Sequence, residues 1–300
     1  MDSRARWLAL AAGLGAGALY YTSGRRRRPA GVAVIYVAAA LPADWSDRLA
    51  RFWAVSVKCM DGESPWRVET ARDLLGTVER AGCQRQGWGF HYCTSIDQAA
   101  AEGAAAGAVA SELDLGCYYW NAEKHWAGTN GQAGAPDPAG AAIAFAQAFK
   151  AAAPWGCRLA WNAFTTETAT WFGRPGWILD TPEAVAHFDV WAPMIYGTTA
   201  GTIATKWRSR VFKWRARFPR MLVAPMVGSG RQASSSTAWG YLADQQTGPG
   251  LASLEADRRT DWLAFWMGPG SGEQWAQGND LNPSVPDMLD AIKSGRRGVA

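Results

Sequence analysis

Glu123 closes the apolar run Gly116-Cys117-Tyr118-Tyr119-Trp120-Asn121-Ala122-Glu123. The two-residue period of a β-strand puts Tyr119, Asn121 and Glu123 on one side of it. A carboxyl group set among Trp120, Trp126 and tyrosines is partly desolvated, which favours its protonated form and suits it to general-acid work. The plainer account makes Glu123 an ion-pair partner of Lys124 or of a nearby arginine. Acid-assisted cleavage of a glycosidic bond ordinarily uses a second carboxylate. Asp61, in Lys58-Cys59-Met60-Asp61-Gly62-Glu63, ends another strand-like run and is the best placed candidate, with Glu63 and Glu167 in reserve. Asp61-Gly62 is also an ordinary turn dipeptide. Asp189 stands at the amino end of its run and reads as structural.

Eighteen tryptophans enrich the chain, and Trp66, Trp126, Trp161, Trp171, Trp191 and Trp266 fall at strand ends or in the loops that follow. Indole faces pack well on the C–H faces of sugar rings, and they are equally good core material. The five cysteines, Cys59, Cys83, Cys93, Cys117 and Cys157, form an odd set without C-x-x-C spacing and read as buried free thiols. His91-Tyr92-Cys93 has no second close pair to complete four ligands, so no metal site and no cofactor is expected. Glycine runs at Gly228-Ser229-Gly230 and 268–272 match no phosphate-loop pattern, and Ser234-Ser235-Ser236 lacks a nucleophile-elbow context.

These residues need elements to hold them. From Gly31 onward, brief apolar runs alternate with helical stretches, the pattern of a parallel sheet covered by helices. The strand candidates are 32–37, 52–58, 87–93, 116–121, 158–162, 190–196, 221–227 and 262–266. Helices are expected near 43–51, 67–81, 97–111, 138–152, 181–187, 206–217, 237–244 and 285–294. Eight such units predict an α/β fold, a single (β/α)8 barrel over residues 31–300, whose working side chains gather at the carboxyl ends of the strands. Two short echoes run through it: Trp120-Asn121-Ala122 against Trp161-Asn162-Ala163, and Ala192-Pro193-Met194-Ile195 against Ala224-Pro225-Met226-Val227.

Tyr119-Trp120-Asn121-Ala122-Glu123, with Met194-Ile195-Tyr196-Gly197 and Phe265-Trp266, resembles the chitinase-type TIM-barrel glycosidases of family 18. Their fourth strand ends in Asp-x-Asp-x-Glu, their sixth carries Met-x-Tyr-Asp and their eighth ends in a tryptophan. The segment Gly89-Phe90-His91-Tyr92, followed by an alanine-rich helix, is similar to lysozyme-type barrels of family 25 and makes His91 a candidate substrate contact. The resemblance implies Glu123 as proton donor, Tyr196 as a hydrogen-bond donor near the reacting sugar and Trp266 as a platform. Asn121 could orient an acetamido group, Asp61 or the substrate's own acetamide could assist, and Tyr119, Trp126 and Trp161 complete the expected substrate contacts. Tyr119 and Asn121 stand where the chitinase pattern has aspartates, Gly197 replaces the aspartate after Tyr196, and Val34-Ile35-Tyr36-Val37 lacks the acid of the lysozyme type.

Residues 1–30 stand apart. Trp7 to Tyr21 is apolar, flanked by Arg4 and Arg6 and by Arg25 to Arg28. It reads as a short membrane anchor, as an export leader cleaved near Ala16-Gly17-Ala18, or as a helix packed on the barrel. The heavier arginine cluster after it would keep the domain on the cytoplasmic side, against a secreted wall-degrading role. The leader carries +5 of charge against a net +4 for the whole chain, and the remainder, nearly neutral at −1, argues against nucleic acid as a partner. The basic stretch Lys206 to Arg220 spaces Trp207, Val211, Trp214 and Phe218 as a helix with one packed aromatic face and one solvated basic face, or as a surface for anionic lipid or wall polymer. Two functions compete: a glycoside hydrolase acting on a polysaccharide substrate such as peptidoglycan or chitin, and a non-catalytic carbohydrate-binding or structural barrel of a surface or virion assembly.

Overall fold

Short runs that are apolar on both faces suit strands covered on both sides, and here they form a parallel sheet. The protein is described by a computed structural model over residues 32–35, 52–80, 82–122, 134–164, 182–194, 216, 218–228 and 261–266. Along the chain come β1 (Val32–Ile35), β2 (Ala54–Asp61), β3 (Ser64–Pro65), α1 (Val68–Arg80), β4 (Gln84–His91), α2 (Ile96–Glu112) and β5 (Cys117–Ala122). Then follow α3 (Pro138–Ala152), β6 (Arg158–Phe164), α4 (Pro182–Val185), β7 (Val190–Met194), β8 (Leu222–Val223), β9 (Met226–Gly228) and β10 (Ala264–Trp266).

Parallel pairing runs from β2 through β4, β5, β6, β7, β9 and β10 to β1, and β1 pairs with β2 as well. The short β3 is antiparallel to the end of β2. β8 and β9 together occupy the run expected at 221–227, interrupted at Ala224-Pro225 because proline has no N–H for the ladder. Each expected strand run contains a strand, and the helices expected at 67–81, 97–111, 138–152 and 181–187 are α1 to α4. The helices expected at 43–51, 237–244 and 285–294 and the leader 1–30 lie outside the described residues, as does nearly all of 206–217. Phe218 does pack against the core beneath the helices. Among the described residues no helix is long and apolar enough to cross a membrane.

Two cores lie on opposite faces of the sheet. Val55, Val57, Tyr118, Trp120, Leu159 and Trp161 face the helices and meet Leu74 and Leu75 of α1, Val109 of α2, and Phe145 and Phe149 of α3. Ala54, Trp88, Cys117, Tyr119, Ala160, Val190, Met226 and Trp262 form the inner core. Four of the cysteines are buried free thiols and Cys157 is a half-buried one, with burial pushing the Cys59 and Cys157 thiols up to about 12.

The helix starts follow local chemistry. Asp137 accepts from the Gly140 N–H at 2.9 Å with Pro138 in the first turn, and Ser95 accepts from the Gln98 N–H at 3.1 Å. α2 is rich in alanine and glycine because α3 crosses it at backbone range. A Cβ at Gly103 would lie 2.3 Å from the Phe145 carbonyl oxygen, and one at Gly107 would lie 2.6 Å from that of Phe149. Gly103→Ala is therefore expected to destabilise the protein by about 1–3 kcal/mol, because backbone must shift. Gly76→Ala on α1 meets only the end of Arg80 at 3.8 Å, and is expected to stabilise by up to about 1 kcal/mol through helix propensity. Urea midpoints of the two variants check this, and equal midpoints would contradict it.

Candidate functional site

On β5 the faces alternate as the sequence predicts. Cys117 and Tyr119 point into the inner core, while Tyr118 and Trp120 lie under the helices. Asn121 continues the inner row, is 5% exposed, and its side-chain carbonyl oxygen has no hydrogen-bond partner among the described residues. Glu123 is next in that row by sequence but lies outside the described residues, as do Tyr196 and Trp126. Trp266 is on β10, in register with Val34 of β1 and Gly228 of β9.

In register with Asn121 across the β5–β6 ladder stands Asn162. It too is buried; its Nδ2 donates to the Met226 Sδ at 3.5 Å, and its carbonyl oxygen also lacks a partner among the described residues. A buried acceptor left unpaired costs about 1–3 kcal/mol. Two such acceptors side by side would be satisfied by a group carrying N–H or O–H donors. Asn162 was not among the residues singled out from the sequence, although the Trp-Asn-Ala echo marks it. Strand register is what makes that echo a pair.

Asp61 sits at the carboxyl end of β2. Lys58 Nζ donates to its Oδ2 at 3.1 Å, and the Tyr92 hydroxyl donates to its Oδ1 at 3.3 Å. Residues three apart on a regular strand face opposite ways. The register slips between Lys58 and Met60, a bulge that brings Asp61 round to the lysine. The β2–β3 hairpin then folds Trp66 back, so that the Lys58 ammonium lies 4.3 Å from the Trp66 ring centroid and 5.7 Å from that of Trp88. Cations are attracted to indole faces at such distances. Lys58 is 6% exposed and Asp61 28%. Burial first, and the Asp61 charge second, push the Tyr92 phenol up, so it stays a proton-bearing donor. A carboxylate, an ammonium, a phenol and two indoles are thus assembled where ligands of such folds bind. Lys58 and Tyr92 were also missed, and a lysine within an otherwise apolar strand was the available signal.

Three of the expected substrate contacts, His91, Trp161 and Tyr119, are fully buried in this structure. His91 is fully buried on the helix side, where Nδ1–H donates to Glu102 at 2.9 Å, Nε2 accepts from the Tyr118 hydroxyl at 2.8 Å, and the ring meets Phe145 edge-on at 4.7 Å. Trp161 is buried on the same side, its ring 5.4 Å from Trp120 and 4.7 Å from Phe188. Tyr119 does point inward but is fully buried, its hydroxyl accepting from Trp262 Nε1–H at 3.2 Å.

Burial lowers the His91 pKa from the ordinary 6.5, outweighing the opposing pull of Glu102 and the weaker one of Asp61. In the unfolded chain the imidazole takes up a proton near pH 6.5, while in the folded protein it stays neutral to lower pH. Stability is therefore full above about pH 6.5 and declines as pH falls towards the lower folded value. Melting temperature is expected to drop between about pH 7.5 and pH 5.5 in the wild type, and less steeply in His91→Gln. Parallel profiles would show that His91 does not carry the effect.

A groove of about 480 Å³ lies at the opposite end of the strands, lined by Gln84, Gly116 and Arg158 at the starts of β4, β5 and β6 and by Trp155. The amino ends of such strands are where stability, not chemistry, is usually served.

No protein-family model matches the chain, and no curated protein matches it. Solved structures do. A GH18 chitinase from Pseudoalteromonas aurantia has a TM-score of 0.60 at 12% identity, covering 88% of this chain and 99% of that one. The spore cortex-lytic enzyme SleL of Bacillus cereus has a TM-score of 0.56 at 9% identity, covering 84% and 74%. A xylose isomerase domain protein from Planctomyces limnophilus has a TM-score of 0.51 at 13% identity, covering 91% and 99%. At these identities the likeness is one of fold: an α/β sheet of the TIM-barrel kind.

Proposed function

We propose that this chain is a glycoside hydrolase acting on an amino-sugar polymer of the peptidoglycan or chitin kind, with Glu123 as proton donor at the mouth of a (β/α)8 barrel. The observation that supports this is the inner row of β5, where Tyr119 and Asn121 both lie on the inward face, with Glu123 two positions further along the sequence. The paired acceptors of Asn121 and Asn162 suit an acetamido N–H and a neighbouring hydroxyl. Glu123 would protonate the glycosidic oxygen while Asp61, or the substrate's own acetamide, stabilises the cationic centre left behind. Tyr196 would donate a hydrogen bond to the reacting sugar, and Trp126 and Trp266 would flank it. The test is release of reducing ends from purified peptidoglycan and chitin by the wild type and by Glu123→Gln. Equal activity in both, or none in either, would remove Glu123 from the mechanism.

One observation favours a non-catalytic, carbohydrate-binding or structural barrel instead. Tyr119, at a position where the chitinase pattern has an aspartate, is locked to Trp262 in a filled inner core. Glycan binding by the wild type without any release of reducing ends would favour that alternative.

A further inference from the structure

Among the described residues Glu102 is the fully buried acid. It projects from α2, and its two oxygens accept from the Tyr92 N–H at 3.0 Å, the Cys93 N–H at 3.1 Å and His91 Nδ1–H at 2.9 Å, with Cys93 Sγ at 3.6 Å. Burying a carboxylate is costly unless its lone pairs are filled, and α2 already lies on its neighbour by close glycine contacts. Its donors among the described residues come from three consecutive residues, His91-Tyr92-Cys93, where the chain leaves β4 and Cys93 takes a left-handed φ of 46°. The middle residue of the three carries the phenol that donates to Asp61. Its ring lies over the turn after Asp61: Gly62 has φ 60°, and a Cβ there would come within 2.9 Å of the Tyr92 ring. Tyr92 is thus held through its backbone by Glu102 and through its ring by the Gly62 turn.

We infer that Glu102 is a positioning residue that, from the helix side of the sheet, fixes the backbone of Tyr92 so that its hydroxyl meets Asp61. Its consequence for catalysis rests on the proposed sugar-cleaving function, but the contact it controls can be measured without that function. The measurement is a 19F NMR titration of protein containing fluorotyrosine, with the Tyr92 signal assigned by its loss in Tyr92→Phe, over a cycle of Glu102→Asp and Asp61→Asn.

Asp61→Asn is expected to lower the pH at which the Tyr92 phenol ionises by about one unit, the scale set by a neighbouring charge. Glu102→Asp keeps the negative charge but withdraws it by one methylene, and is expected to lower that pH in the same direction. The double variant is expected to go no lower than Asp61→Asn alone, because Glu102 acts through the contact already removed. A Glu102→Asp titration identical to the wild type, or two effects that add in full, would overturn the inference. Should Glu102→Asp fail to fold, Glu102→Gln takes its place, since its direct loss of charge is equal in both backgrounds and cancels in the cycle. In the hydrolysis assay Glu102→Asp is expected to lower kcat about tenfold with KM nearly unchanged, as misplacement of a reacting group does, and an unchanged kcat would overturn the catalytic consequence. A wild type that cleaves no glycan would sink the proposed function and leave the titration result standing.

Discussion

Glu123→Gln is expected to slow release of reducing ends from peptidoglycan or chitin by about 10²- to 10⁴-fold, the range over which a positioned acid contributes. Glutamine matches glutamate in size and keeps hydrogen-bonding atoms at the same reach, yet it has no proton to give. The lost interaction exists only as the leaving oxygen gains charge, so kcat falls and KM stays close to the wild type. Asp61→Asn then divides the mechanism. If the substrate's acetamide stabilises the cationic centre, Asp61→Asn costs far less than Glu123→Gln, and losses of equal size assign that role to Asp61. Asp61 is tied to Lys58 and Tyr92, so the comparison is meaningful only in variants whose melting temperature is retained.

Trp161→Ala is expected to cost about 3–5 kcal/mol of stability and to leave glycan affinity unchanged in the protein that remains folded. Its indole is wholly buried between β6 and the helices, in contact with Trp120 and Phe188. Truncating a large buried side chain loses both its transfer from water and its packing, and aromatic neighbours on two sides cannot collapse into the space. Urea denaturation reads the first effect, and titration with chitin oligosaccharide below the melting point reads the second. Weakened binding at wild-type stability would return Trp161 to the site.

That variant also shows where reading the chain runs out. Trp120 and Trp161 both stand in Trp-Asn-Ala, and the period of two correctly separates each tryptophan from its asparagine. It does not say which partner faces the helices. A strand covered on both sides offers apolar residues to both, so alternation lacks the polar face that would distinguish inside from outside. The same holds for His91, which faces the helices. Its polar partner, Glu102, lies eleven residues away on a helix whose composition gives no hint of a buried carboxylate.

The described strands, the helices α1 to α4, the cap at Asp137 and the burial of four of the cysteines are determined by the chain itself, because hydrophobic period, capping chemistry and turn residues act over a few neighbours. The shared row of Tyr119 and Asn121 belongs with them. Only the tertiary structure decided that Asn121 stands beside Asn162, that a bulge after Lys58 turns Asp61 to the lysine, and that Tyr92 reaches Asp61 across thirty-one positions of sequence. Those contacts depend on register between strands and on packing at a distance, and no local pattern along one strand encodes its alignment with the next.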